Sequence, residues 1–238
     1  MFYFEKINDK SILKSDKLDN AFFTTKESFI KTKDEKFFDV VSKNKDDILK
    51  YLGVLKIISP SQRHTANIAI ADPAQEAYEE TDALILTDKN IAISLNFADC
   101  TPIVLYDKKN NLGAIAHAGW RGTAQNISGK TVLKILELGA SLEDTVALIG
   151  PCISKCCYEV DLKVGEELYS SINQKVQNVK NEKCYPDLKE INKIQLQNAG
   201  IKNIDVAPYC TVCNNNMFFS YRYENGTTNR HSAILKLN

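Results

Sequence analysis

The sequence predicts one α/β domain over residues 1–238, of the α+β kind, built on a mixed rather than an all-parallel sheet. Three observations predict it. Strand-like and helix-like patterns interleave along the chain. Several neighbouring strands are joined by turns too short for helical crossovers. No Pro/Gly/Ser-rich linker, repeat or low-complexity tract divides the 238 residues.

The elements follow in order. Residues 1–52 are lysine-rich, with aromatic patches at Phe22, Phe23, Phe37 and Phe38; they read as short strands and a helix over Lys45–Leu52 that ends near Gly53. Ile91, Ile93, Leu95 and Phe97 alternate with Ala92, Ser94 and Asn96, a strand of period two running into Ala98-Asp99-Cys100. Ile103–Tyr106 is a short apolar strand, residues 107–111 a polar turn, and Leu112–Ala118 a further strand closed by His117. Gly119-Trp120-Arg121-Gly122 breaks the pattern. A helix follows with Ile127, Thr131, Ile135 and Leu138 on one face, stopped by Gly139. Thr145–Ile149 reads as a strand. Val160, Val164, Leu168 and Ile172 mark a helix, and Asp187 with Glu190 forms a capping box for another that ends at Gly200. Ile204–Pro208 and the aromatic run Met217–Tyr223 complete the set as strands.

Composition limits the function classes. Thirty basic residues balance thirty acidic ones, so the formal net charge is zero. This argues against non-specific binding to nucleic acid or an anionic membrane. The N-terminus carries Glu5 and Lys6 and no apolar signal region, and no apolar run approaches the ~18 residues of a membrane span. A soluble, cytoplasmic protein is expected, with its seven cysteines reduced. Only four of the basic residues are arginine: Arg63, Arg121, Arg222 and Arg230. Against 26 lysines, so few planar guanidinium groups mark places where a bidentate donor is needed. Taken together, and given their nearness in sequence to the histidines, they favour an anionic or oxygen-rich ligand.

Three histidines limit imidazole chemistry to His64, His117 and His231. Cys100 and His117 close predicted strands and His64 lies in a polar segment, so the three can converge at a sheet rim. Two imidazoles and a thiolate suit Zn²⁺ with an open fourth position, and Asp99 is the carboxylate in reach to orient a ligand histidine. No short metal motif links the three. On the residues alone, a buried cysteine with two hydrogen-bonded histidines is favoured. Trp120, Arg121 and Gly122 precede a helix N-terminus, where an anion or merely a tight turn would fit equally. Phe218, Phe219, Tyr221 and Tyr223 offer stacking faces or sheet core. Cys152, Cys156, Cys157, Cys210 and Cys213 could together make a second zinc site, but no second short-spaced pair accompanies the C-x-x-C at 210–213, so ordinary packing is expected of all five. A cytidine-deaminase signature is absent, because His117 is followed by Ala-Gly rather than x-Glu.

Four blocks then resemble a known family: NFADCTPIVLYD, AIAHAGWRGTA, IGPCISKCCYEV and YCTVCNNNMFFSYRYENG. They are similar to the peptidoglycan editing factor family, also called the laccase-domain or multicopper polyphenol oxidase-like family, from about Phe22 to about Arg230. The resemblance implies sheets layered between helices. It also implies a zinc site on His64, Cys100 and His117, which would be both metal ligands and catalytic groups, with Arg63, Trp120, Arg121, Gly122 and Arg222 near substrate or anion. The first segment departs from the family pattern at Gln62-Arg63-His64-Thr65. Zinc is expected, although copper binds the same ligand types; a laccase copper set needs more histidines than the chain has. Purine nucleoside phosphorolysis with adenosine deamination comes first among the implied activities, with nucleoside and phosphate as partners. A metal-assisted amidase editing UDP-sugar precursors comes second. A zinc-stabilised binding module without turnover is the third reading.

Overall fold

In the computed structural model, which describes residues 1–238, the central strands are buried on both faces, so their side chains divide between two different cores. The elements are β1 (Phe2–Ile7), β2 (Lys10–Ser15), β3 (Leu18–Thr24), α1 (Phe38–Leu52), β4 (Lys56–Ile58), β5 (Ile68–Ile70), β6 (Ala83–Leu86), β7 (Ile91–Phe97), β8 (Thr101–Asp107) and β9 (Leu112–Ala118). They continue with α2 (Trp120–Ala124), α3 (Ile127–Glu137), β10 (Thr145–Ile149), β11 (Val160–Asp161), α4 (Leu162–Ser170), β12 (Val179–Lys180), β13 (Lys183–Cys184), α5 (Leu188–Asn198), β14 (Asn203–Val206) and β15 (His231–Lys236).

Two six-stranded sheets result, ordered β1-β2-β3-β15-β7-β4 and β14-β10-β8-β9-β6-β5. Both are mixed: β4 runs parallel to β7, β14 to β10 and β5 to β6, and the remaining pairs are antiparallel. Leu95, Phe97, Ala233 and Leu235 of the first sheet meet Leu84, Val104 and Ile115 of the second in the inter-sheet core. The outer face of the first sheet takes Ile48 and Leu52 of α1 against Ile12, Phe22 and Ile234. Ile127, Val132 and Ile135 of α3 and Leu196 of α5 cover Ile85, Ile103 and Ala116 of the second. The order of layers is therefore helix, sheet, sheet, helix. No helix is long and apolar enough to cross a membrane.

Local chemistry explains most boundaries. Gly53 ends α1 in the left-handed conformation, φ 66°, that only glycine adopts without cost. Asp187 caps α5 by accepting from the Glu190 N–H. Three expectations need correction. The helix α1 starts at Phe38, seven residues before Lys45, because Asn44 faces inward and donates to the Phe29 carbonyl, tying the first turns to the preceding loop. The expected single helix after Gly122 is two, since Trp120 to Ala124 is already helical and Asn126, at φ 58°, breaks the axis while capping Gly129. Met217–Tyr223 is not a strand. The Asn214 carbonyl accepts from the Met217 and Phe218 N–H groups, which curls the run into turns, burying Phe218 and Phe219 and leaving Tyr221 and Tyr223 exposed.

His231 opposes Phe97 across the β15–β7 ladder, fully buried, with neither ring nitrogen hydrogen-bonded. Burial, with the Arg230 charge beside it, pushes its pKa down to about 3. The native state thus holds a neutral imidazole, whereas the unfolded chain protonates near ~6.5. Below that pH the unfolded state binds one more proton, so stability falls as pH drops from ~6.5 toward 3, by up to about 1.4 kcal/mol per pH unit. His231→Leu is expected to flatten this slope, so that urea midpoints at pH 6.5 and pH 4.5 differ less than in wild type. Equal slopes in the two proteins would contradict the assignment.

Candidate metal centre

The site lies where the chain passes between the sheets. Ala98, Asp99 and Cys100 form the turn from β7 in one sheet to β8 in the other, and Asp99 takes φ 85°, a rare conformation for a side-chain-bearing residue. Three contacts hold it there: the Thr211 hydroxyl donates to its carboxylate at 2.6 Å, the Arg222 N–H at 2.7 Å, and the Ile153 N–H to its carbonyl at 3.0 Å. Cys100 is thereby fixed at the corner. His117 is supplied by β9, opposite Pro102 in the β8 register.

His64 arrives on a loop without regular structure, at φ 62°. The loop is held at both ends of a short stretch. The Gln62 side chain exchanges two hydrogen bonds with the backbone of Asn96, as a paired strand residue would. The N–H groups of Arg63, His64 and Thr65 then all donate to the Asp82 carboxylate, at 3.0, 3.1 and 2.7 Å, and the Thr65 hydroxyl joins them at 2.9 Å. The same carboxylate accepts from His117 Nδ1 at 2.7 Å. A carboxylate only accepts, so His117 holds a proton on Nδ1, and Nε2 is the ring nitrogen left facing the site. Asp82, not Asp99, is the carboxylate that orients a site histidine. Sequence reading passed over it because a lone acid before the apolar run Ala83–Leu86 looks like a surface charge.

The three functional atoms lie within 4.8 Å of one another, with Cys100 Sγ to His64 Nε2 at 3.7 Å. Zinc bound at ordinary lengths to one sulfur and one nitrogen in a tetrahedron holds them about 3.6 Å apart. The donor set and spacing fit a metal ion. Gly119 makes room for it: a Cβ there would stand 2.8 Å from the His64 ring and 3.0 Å from Cys100 Sγ. Electrostatics favour a thiolate on Cys100 beside a charged His117, whose Nε2 proton a metal ion would displace on binding. Burial works against the Cys100 thiolate, but the His117 charge and hydrogen bonds from His117 and His64 bring the thiol down to about 6. Burial likewise opposes charge on His117, yet Cys100 and Asp82 raise it to about 9. Asp82, despite burial, is held well below the usual carboxylate range by His117 and by the Thr65 and Arg63 N–H groups.

A cleft of about 730 Å³ opens above these residues. It is lined by Arg63, Arg121, Arg222 and Arg230, together with Lys31 and Lys33, against the single carboxylate of Asp99. Trp120 and Arg121 line it from the first turn of α2, with the guanidinium stacked 4.3 Å from the indole centroid. Gly122 does not line it. It is buried behind the site, where a Cβ would crowd the His117 and Thr65 carbonyls at 3.2 and 3.3 Å. Arg222 is braced by two 3.2 Å hydrogen bonds from its guanidinium to the Glu159 carbonyl. Tyr221 also lines the cleft, whereas Phe218 and Phe219 are core.

An α+β sandwich thus carries a His–Cys–His cluster with metal-ligand spacing beneath a cationic cleft. Residues 23–238 match the family model described as multi-copper polyphenol oxidoreductase laccase, and the chain belongs to that family. It is 34% identical to a Bacillus subtilis protein named purine nucleoside phosphorylase YlmD over 67% of this chain and 59% of that one, so the match spans less than two thirds of that relative. A Rickettsia conorii protein named purine nucleoside phosphorylase RC0672 is 32% identical over 78% of each chain. Adenosine deaminase RL5, from an unknown prokaryote, is 33% identical over 70% of this chain and 69% of its own. The crystal structure of YlmD from Geobacillus stearothermophilus superposes with a TM-score of 0.85 over 100% of both chains at 27% identity.

Two substitutions probe the geometry. Asp82→Asn replaces an acceptor by an amide facing several donors; it is expected to weaken metal binding about 10–100-fold and to cost about 3–5 kcal/mol of stability. Chelator competition and urea unfolding read the two effects, and wild-type metal affinity in Asp82→Asn would refute the role. Gly119→Ala should lower metal content while leaving the fold intact, measured by elemental analysis beside circular dichroism.

Proposed function

We propose that this protein is a zinc-dependent purine nucleoside phosphorylase with a secondary capacity to deaminate adenosine. The observation that carries the reading is the placement of charge: every arginine in the chain lines the one cleft that holds His64, Cys100 and His117. Guanidinium groups match phosphate oxygens in bidentate geometry, so a phosphate facing a nucleoside suits this lining. The names borne by the relatives supply the reaction class.

In phosphorolysis a phosphate oxygen bonds to the anomeric carbon as the bond to the purine nitrogen breaks, and the base leaves with the electron pair and gains a proton. Arg222, braced on Glu159, and Arg121, stacked on Trp120, are positioned to bind the phosphate. Trp120, Tyr158 and Tyr221 present aromatic faces for the base within the same cleft. Asp82 keeps a proton on His117 Nδ1 and fixes the ring. A zinc held by His64, Cys100 and His117 would supply Lewis-acid activation of water or of a substrate heteroatom, as deamination at the purine C6 requires. The thiolate and two imidazoles suit zinc, and copper would take the same ligands. Seven unpaired cysteines accord with a cytoplasmic enzyme.

A second reading, amide hydrolysis on UDP-sugar precursors, draws on the same six cations, which would also receive a pyrophosphate. Base release from adenosine and inosine, with and without phosphate, separates the two. Metal-quantified wild type is expected to release base in a phosphate-dependent manner. Cys100→Ala should lose at least about 100-fold in rate, and Arg222→Ala should raise the phosphate KM about 10-fold or more. Zinc-loaded wild type that releases no base refutes the phosphorylase, and hydrolysis of UDP-sugar-linked serine by that protein would establish the alternative.

A further inference from the structure

Packing does not account for four of the six cysteines beyond Cys100; Cys184 is buried. Cys152 is buried and behaves as expected. Cys156 and Cys157, on the turn after Ser154, and Cys210 and Cys213, on the turn before Asn214, bring their sulfurs to within 4.8 Å of one another. Cys213 Sγ is 3.6 Å from Cys156 Sγ and 3.5 Å from Cys157 Sγ. Cys156 and Cys213 are exposed, so apolar burial is no reason for four thiols to gather here. Nor are the sulfurs arranged as bonded pairs, which would stand about 2.05 Å apart. Four thiolates around one zinc at about 2.3 Å lie about 3.8 Å from each other, close to the spacing observed.

We propose that Cys156, Cys157, Cys210 and Cys213 form a second metal site, a closed tetrathiolate site for Zn²⁺ distinct from the His64–Cys100–His117 centre. Four sulfur ligands leave no position for substrate, so its role is structural. Thiolates select zinc over harder divalent ions.

The position explains what the site would do. One pair of ligands precedes Tyr158 and Glu159, which line the cleft and brace Arg222; the other flanks Thr211, which holds the Asp99 turn beside Cys100. The two segments also meet through a bridge between Cys152 and Cys210, the bond from the Thr211 N–H to the Cys152 carbonyl, and Val212, which packs against the cluster that holds Ile153 and Tyr158. Zinc would staple them and so fix the wall of the cleft.

The test is metal stoichiometry on the full chain purified under reducing conditions, for wild type, Cys100→Ala and Cys156→Ser/Cys213→Ser. The expected contents are about two, one and one zinc per chain. If the first centre holds no metal, the pattern becomes about one, one and none, which still supports the second site and isolates the failure to the first. Equal zinc in wild type and Cys156→Ser/Cys213→Ser overturns the proposal. Should that double variant not fold, Cys100→Ala loaded with cobalt decides: intense thiolate-to-cobalt charge transfer is expected, and its absence, or recovery of these cysteines as disulfides, overturns the site.

Discussion

The buried carboxylate of Asp82 is the interaction on which the site depends. An ionised carboxylate with no exposed surface is costly unless its lone pairs are filled. Here they are filled by three consecutive backbone N–H groups, a hydroxyl and an imidazole. The cost of burial is thereby converted into position. The same charge that needs the 63–65 loop to fold over it also sets the tautomer of His117, so two of the three candidate ligands are placed by one side chain. Because Asp82 directly precedes β6, its own position is fixed by the sheet.

The rest of the site is assembled from exceptions to regular structure. Cys100 follows a residue at φ 85° and His64 is itself at φ 62°. Neither conformation is held by the residue's own preference. Thr211, Arg222 and Ile153 hold the first, and Asp82 and Gln62 hold the second. A sandwich whose two sheets are each covered by helices leaves its corners as the places where such loops can converge. The cationic cleft follows from the same geometry, since Arg63, Arg121 and Arg222 each sit within a few residues of a group that holds the site.

The central strands were legible by two signals: Ile91–Phe97 through its period-two alternation, and Leu112–Ala118 as a run of apolar and small residues between Asn111 and Gly119. The arginines were legible through their scarcity: four among thirty cations stand out, and all four come together. Asp82 was hidden because nothing in Thr81-Asp82-Ala83 separates a buried hub from a surface acid. The aromatic run at 217–223 misled for a different reason. Aromatic density mimics strand propensity, whereas turn formation there is decided by the Asn214 carbonyl. The cysteine cluster was hidden by distance, since an adjacent pair and a C-x-x-C more than fifty residues apart become one group only after β10, α4 and α5 have folded between and around them.

The two sulfur-containing clusters also differ in a way that bears on how the cleft is kept in shape. At the first, a single thiolate shares the site with two imidazoles, and the exposed side of His64 leaves an approach for ligand. At the second, four sulfurs gather within 4.8 Å of one another, with Cys156 and Cys213 at the surface. The connection between them is short: Thr211 lies between Cys210 and Cys213 and donates to Asp99, the residue before Cys100. Tyr158 directly follows Cys157 and lines the cleft, and Glu159 takes the Arg222 guanidinium. Loosening the tetrathiolate cluster would therefore act on the Asp99 turn and on the Arg222 brace together. One cluster has the geometry for chemistry, and the other has the geometry to hold that chemistry's wall in place.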